Sequence, residues 1–174
     1  MTRRALVSGI VAASLAAFPT FGILDVIQPV RGEKEQTMNP DAQADTNLVT
    51  LRSAHGAAGT VERVKTLLAK KEIKLFAQID HAAGAKQVGM PLRPTELLIF
   101  GNPKAGTPLM QAQQTIALDL PLRVLVWEDE SGKVWLTYRR VADVARLHHL
   151  AGRDEVVMAL DDGLAALARS VTGE

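Results

Sequence analysis

Leu97–Asp129 reads LLIFGNPKAGTPLMQAQQTIALDLPLRVLVWED. An apolar run breaks at Gly101-Asn102-Pro103, crosses a proline-punctuated middle, and a second apolar run opens at Leu120-Pro121-Leu122. The first run, with Glu96-Leu97-Leu98-Ile99-Phe100 at its centre, predicts a strand buried on both faces, because its apolar character is continuous rather than alternating. Asn102 can bond its own downstream backbone and Pro103 fixes φ, which is good turn chemistry. A short helix is then expected over TPLMQAQQ, with Thr107 as N-cap and Pro108 at the favoured first position. Free N–H groups at that end, beside Lys104, suit a carboxylate or other anion. The plainer reading is a strand-to-helix connection. A phosphate-cradling loop is excluded, since GNPKAGTP lacks the terminal G-K-[ST] and places prolines where backbone donors are needed.

Outward from this stretch, LRVLVWEDESGKVWLTY predicts two strands around an Asp129–Gly132 turn, with Gly132 at its end. Upstream, LVTLRSA alternates and predicts a first strand. GTVERVKTLLAKKEI predicts an amphipathic helix: Thr60 as N-cap, Glu62 in the first turn, Lys70 and Lys71 at the end, and an apolar stripe of Val61, Val64, Leu67 and Leu68. KLFAQID predicts a second strand ending at Asp80-His81, followed by a short helix over AAGAKQVG. Two helices close the chain. The first carries Val141, Val144, Leu147 and Leu150 at helical spacing before Gly152; the second carries Val156, Leu160, Leu164, Leu167 and Val171. The resulting class is α+β, an antiparallel or mixed sheet covered by helices on one face.

With 174 residues, 47% apolar and 22% charged, the chain is long enough for one domain with a real core. A formal charge of +1, with the basic residues scattered among acids, argues against nucleic-acid binding. The absence of cysteine excludes thiolate metal sites, thiol nucleophiles and disulfides. MTRRALVSGIVAASLAAFPTFG pairs two arginines with an apolar stretch of about 14 residues, against the roughly 20 a membrane-spanning helix needs. Residues 1–22 therefore predict an export signal, TRRAL resembling a twin-arginine pattern, and the expected location is periplasmic. The alternative is an anchor through residues 5–27, which would be the chain's one membrane contact. Residues 30–46, with few large apolar groups and many polar or charged ones, predict a linker, bounded as residues 23–46, and 47–174 the domain.

Among candidate chemical groups, adjacent Asp80 and His81 could move protons, although neighbours on an extended segment point to opposite faces. Asp80 also suits a cap on the helix after it. His148 and His149 lie about 100° apart on a helix and read as a solvated pair; His55 falls in a loop. None of the histidines shows H-x-x-x-H spacing, so no metal site is expected. Glu96, Asp119 and Glu128 are carboxylates whose mutual distance spacing does not fix. Serines lack nucleophile-elbow surroundings. Trp127, Trp135 and Tyr138, in a chain with 4% aromatics, mark the hairpin as the heart of any apolar cavity.

The helix TVERVKTLLAKKEI and the segments IDHAAGAKQVG, LRPTELLIFGNPKAGTPLM, ALDLPLRVLVWED and GKVWLTY together resemble a bacterial and archaeal family called domain of unknown function 302. The likeness covers roughly Leu48 to Leu150. One departure is KKEIKLF, where the family often has a glycine entering the second strand. The resemblance implies a β-α-β(4)-α sheet of TATA-binding-protein-like shape. It marks Asp80, His81, Gly101, Asn102, Pro103, Asp119 and Pro121 as motif positions without assigning roles, and brings no cofactor. A shape shared with nucleic-acid binders does not imply that function. The expectation is a small-ligand-binding or accessory domain. Its site would lie where the Asp80-His81 bend meets the Asn102–Thr107 loop, with Asp80, His81, Asn102, Pro103, Lys104 and Thr107 around it. A homodimeric interaction module and an acid/base enzyme using Asp80 or His81 are the alternatives.

Overall fold

The computed structural model describes residues 47–173; the export and linker segments expected over residues 1–46 lie outside the described residues. Five strands form one sheet: β1 (Leu48–Arg52), β2 (Lys74–Asp80), β3 (Thr95–Gly101), β4 (Leu122–Glu128) and β5 (Val134–Arg139). Their order is β1-β5-β4-β3-β2, and each neighbouring pair is antiparallel. β2 to β5 therefore form a meander. β1 lies on the far edge from β2, and helix α1 (Ala57–Lys70) carries the chain between those edges.

Alternation along the strands separates two faces. Leu98, Phe100, Val124, Val126, Leu136 and Tyr138 point to one side and are buried, with Val61, Val64 and Leu68 of α1 and Leu164, Leu167 and Val171 of α5 (Asp154–Thr172). The opposite face presents Leu97, Ile99, Leu125, Trp127, Trp135 and Thr137, all only partly buried. The α+β class with helices on one face is thus as the sequence predicts. β3 is not buried on both sides, however: its apolar residues divide between the core and this open face. A second cluster joins Leu109 of α3 (Pro103–Ala112), Ile116 of a 3-10 turn (Gln114–Leu118), Val141 and Val144 of α4 (Val141–Leu147), and Val157 of α5.

Four local expectations change. α1 begins at Ala57, with Gly56 at the N-cap and no acid in the first turn, which moves Glu62 out of that turn. Thr60 is not a cap: its hydroxyl is buried 2.7 Å from Ser53 Oγ and donates to Gly56 O at 3.1 Å. The helix before Gly152 stops at Leu147, leaving that side chain exposed and off the buried stripe. His149 then takes a positive φ of 53°. The remaining change, at Thr107, bears on the site.

Candidate functional site

The antiparallel pairing of β2 with β3 decides where the sequence-marked residues lie. Lys74 pairs with Gly101 and Asp80 with Glu96. Asp80-His81 and Asn102 are therefore at opposite ends of one strand pair, roughly 20 Å apart at about 3.3 Å per residue. The expected common mouth does not form. Asp80 caps α2 (His81–Gln87), its Oδ1 accepting from Ala83 N–H at 2.8 Å. His81 is exposed, and among the described residues no side-chain hydrogen bond reaches its imidazole.

The Asn102 end does build a cleft. α3 starts at Pro103 rather than Thr107, because Asn102 caps it: its Oδ1 accepts from Lys104 N–H at 2.9 Å. Pro103 takes the first helical position, and Pro108 falls inside the helix. This cap uses up the donors that were expected to hold an anion. Pro103 has no N–H, Lys104 N–H is taken by the Asn102 side chain, and Ala105 and Gly106 N–H groups both donate to Asn102 O at 2.9 and 3.0 Å. A carboxylate would have to displace bonds already made.

Beside this first turn lies a cleft of about 170 Å³. Its walls include Phe76, Gly106, Met110, Leu120, Leu122 and Leu160, with Asn102, Pro103 and Thr107 on the α3 side. Asp80, His81 and Lys104 take no part in its lining. Three local features open it. The register of β2 against β3 shifts between Leu75 and Ala77, so Phe76 is the extra residue of a bulge, a device that re-aims a side chain. Gly101 ends β3 beside the segment entering β4, where a Cβ would lie 3.4 Å from Pro121 Cβ. Gly106, inside α3, has no Cβ; one placed there would reach Leu120 Cδ1 and Met110 Cε, each at 3.9 Å. The wall is thus almost wholly hydrocarbon. Lys74 Nζ, 4.9 Å from the Phe76 ring centroid, brings one cation to a lining ring.

Trp127 and Trp135 do not line this cleft. They stack across β4 and β5 on the open face, centroids 6.3 Å apart, so the hairpin is not the heart of the cavity. Their indole N–H groups are satisfied by Thr137 Oγ1 at 2.9 Å and Asp129 Oδ2 at 2.8 Å.

Sequence reasoning missed a second polar constellation. His148, expected to be solvated, turns inward at 10% side-chain exposure. Its Nε2 lies 2.8 Å from Asp119 Oδ2 and its Nδ1 3.2 Å from Thr115 Oγ1. An ionised carboxylate only accepts, so Nε2 donates to Asp119, and a neutral ring leaves Nδ1 to accept from the Thr115 hydroxyl. The arrangement ties the end of α4 to the 3-10 turn. The other Asp119 oxygen faces Arg139 Nη1 at 3.5 Å and Arg123 Nη2 at 3.8 Å. Asp119 was visible as a motif residue; its partners, up to 29 positions away, obey no sequence period. Neither Glu96 nor Glu128 joins it: Glu96 accepts from Gln78, and Glu128 sits at the hairpin end opposite Val134.

The family profile described as domain of unknown function DUF302 matches residues 49–170. A crystal structure of an uncharacterized conserved DUF302 protein from Bacillus stearothermophilus superposes with a TM-score of 0.67. It covers 73% of this chain and 99% of that one, at 16% identity, and so attests the fold alone. Among curated proteins, the fluoride-specific ion channels FluC 1 of Brucella suis and FluC 2 of Brucella melitensis are each 46% identical over 131 residues. That stretch is 75% of this chain and 52% and 48% of theirs, so the chain spans about half the length of the curated relatives it matches. Among the described residues, no helix is long and apolar enough to cross a membrane.

Proposed function

The chain belongs to the DUF302 family, and on that premise we propose that it is a small-ligand-binding, accessory domain whose site is the cleft between α3, the β2 bulge and the entry to β4. The observation that carries this reading is the apolar cleft beside Gly106. A glycine inside a helix costs about 1 kcal/mol relative to alanine. Here alanine would fit without a clash, because the nearest atoms to its Cβ stand at ordinary contact distance. Glycine at this position keeps hydrocarbon out of the cleft at a cost in helix stability; Gly59, Gly84 and Gly163 also have room for a Cβ inside helices, and Gly106 differs from them in lining an apolar cleft. A cavity of about 150 Å³ accepts benzene, so this one, at about 170 Å³, suits a ring or branched aliphatic group of similar size.

The test is native mass spectrometry of the protein purified from its own cells, beside a Gly106→Leu variant. The native chain is expected to carry a noncovalent adduct, and the variant to fold and lose it. An adduct that persists in the variant, or a bare native chain, contradicts the assignment.

The channel named for the Brucella proteins belongs to chains about one and a half times this length; the role proposed here is that of a companion domain. A homodimeric module is the second reading, favoured by the partly buried apolar row of Leu97, Ile99 and Leu125 on the open face. It requires a dimer in sedimentation at high concentration, which the ligand reading does not. The proposal extends to export through residues 1–22. N-terminal sequencing of envelope-derived protein is expected to find them removed, and an intact Met1 on cytosolic protein would contradict it.

A further inference from the structure

We propose that a second hollow, on the open sheet face, binds a small organic carboxylate, with Arg123 and Arg139 gripping the anion and an apolar floor holding its hydrocarbon. The pairing of Val124 with Tyr138 puts Arg123 and Arg139 at the next position along β4 and β5, opposite one another. Like charges in that relation destabilise a sheet. Structural compensation is slight. Charge-assisted N–H···O pairs close to about 2.7–2.9 Å, whereas both guanidiniums stand 3.5 Å or more from a single oxygen of Asp119. The close partner of Asp119 is His148, through its other oxygen. Arg123 spends one N–H on Leu118 O at 2.7 Å; among the described residues most of the donors on both arginines remain unspent, and both side chains are more than two-fifths exposed.

Beneath them lies a hollow of about 230 Å³ whose floor includes Leu48, Leu97, Leu125 and Thr137. Two cations share one carboxylate over a leucine surface, which leaves a site short of one negative charge and lined for hydrocarbon. Arginine forks match a carboxylate with two parallel bonds. The volume, about half again that of a benzene-sized cavity, suits a ligand of roughly ten non-hydrogen atoms. Asp119, tethered by His148, lies beside both guanidiniums without closing on either. This site shares the wall residue Leu122 with the α3 cleft but differs from it in chemistry and does not rest on it.

The test is calorimetric titration of the full chain with hexanoate, and with hexan-1-ol and inorganic phosphate as controls. Hexanoate is expected to bind saturably, at least tenfold more tightly than either control. Arg123→Gln and Arg139→Gln should each weaken it about tenfold, the loss of one charge-assisted contact. Gly106→Leu should leave it unchanged. Hexanol binding as well as hexanoate would remove the arginines from the account, and phosphate binding as well would remove the floor. Hexanoate affinity unaltered in the Arg123→Gln/Arg139→Gln double variant would overturn the proposal outright.

Discussion

Asp129 shows how one side chain can organise a turn. Its Oδ1 accepts from Ser131 N–H, Ser131 Oγ and Lys133 N–H at 2.8, 2.7 and 2.9 Å, and its Oδ2 from Trp135 Nε1 at 2.8 Å. The Trp135 bond is the largest influence; with the Ser131 and Lys133 bonds it outweighs the opposing effect of desolvation and holds the carboxyl well below the usual range. The sign of the pH effect follows. An unfolded aspartate protonates near pH 3.9, and the folded one resists until lower pH. Its contribution is therefore complete above the unfolded value and drains away as acid is added below it. Trp135→Phe should raise the Asp129 titration toward the ordinary value, as read by carboxyl-carbon NMR; an unmoved titration would show that the indole bond does not set it. The Asp129–Gly132 turn was legible because its determinants are adjacent in sequence, down to Gly132 at φ 74°. His148 was not: two neighbouring histidines on a presumed helix look alike, and only the stop at Leu147 turns one inward and leaves the other out.

At the scale of elements, helices and strands were legible where periodicity spoke and misread where capping had to choose between candidates. Threonine ranks among good N-caps, yet Thr60 is drawn into a buried bond with Ser53, and Thr107 loses to Asn102, five residues upstream. Both decisions depend on what the chain meets in space. Asn102→Ala should lower stability by about 1 kcal/mol, whereas Thr107→Ala should stay within about 0.5 kcal/mol, by urea denaturation. The reverse order would restore the later helix start. Gly106→Ala should stabilise the free protein by about 1 kcal/mol while weakening whatever the cleft holds. Those opposite signs separate a reserved space from a merely imperfect helix.

For the whole molecule, the apolar alternation of the strands and the stripes on α1 and α5 dictate a one-sided sheet, and that much the residues announce. Leu98→Ala, on the core face and fully buried, should cost about 2–5 kcal/mol. Leu125→Ala, on the open face, should cost no more than about 1.5 kcal/mol, since less hydrocarbon leaves water there. Equal losses would mean that something covers the open face. Distances between segments were beyond reach of the sequence. The two bends it singled out are separated by the full length of β2, because antiparallel neighbours place consecutive turns at opposite ends. Arg123 and Arg139, scattered in sequence, become neighbours through the same kind of pairing. The central claim, that folding reserves an apolar space beside Gly106, is most directly tested by methyl NMR during titration with benzene. The account predicts saturable shifts at Met110, Leu120 and Leu160, a silent Leu125, and no response in Gly106→Leu. Shifts spread evenly over both faces, or an unchanged response in the variant, would contradict it.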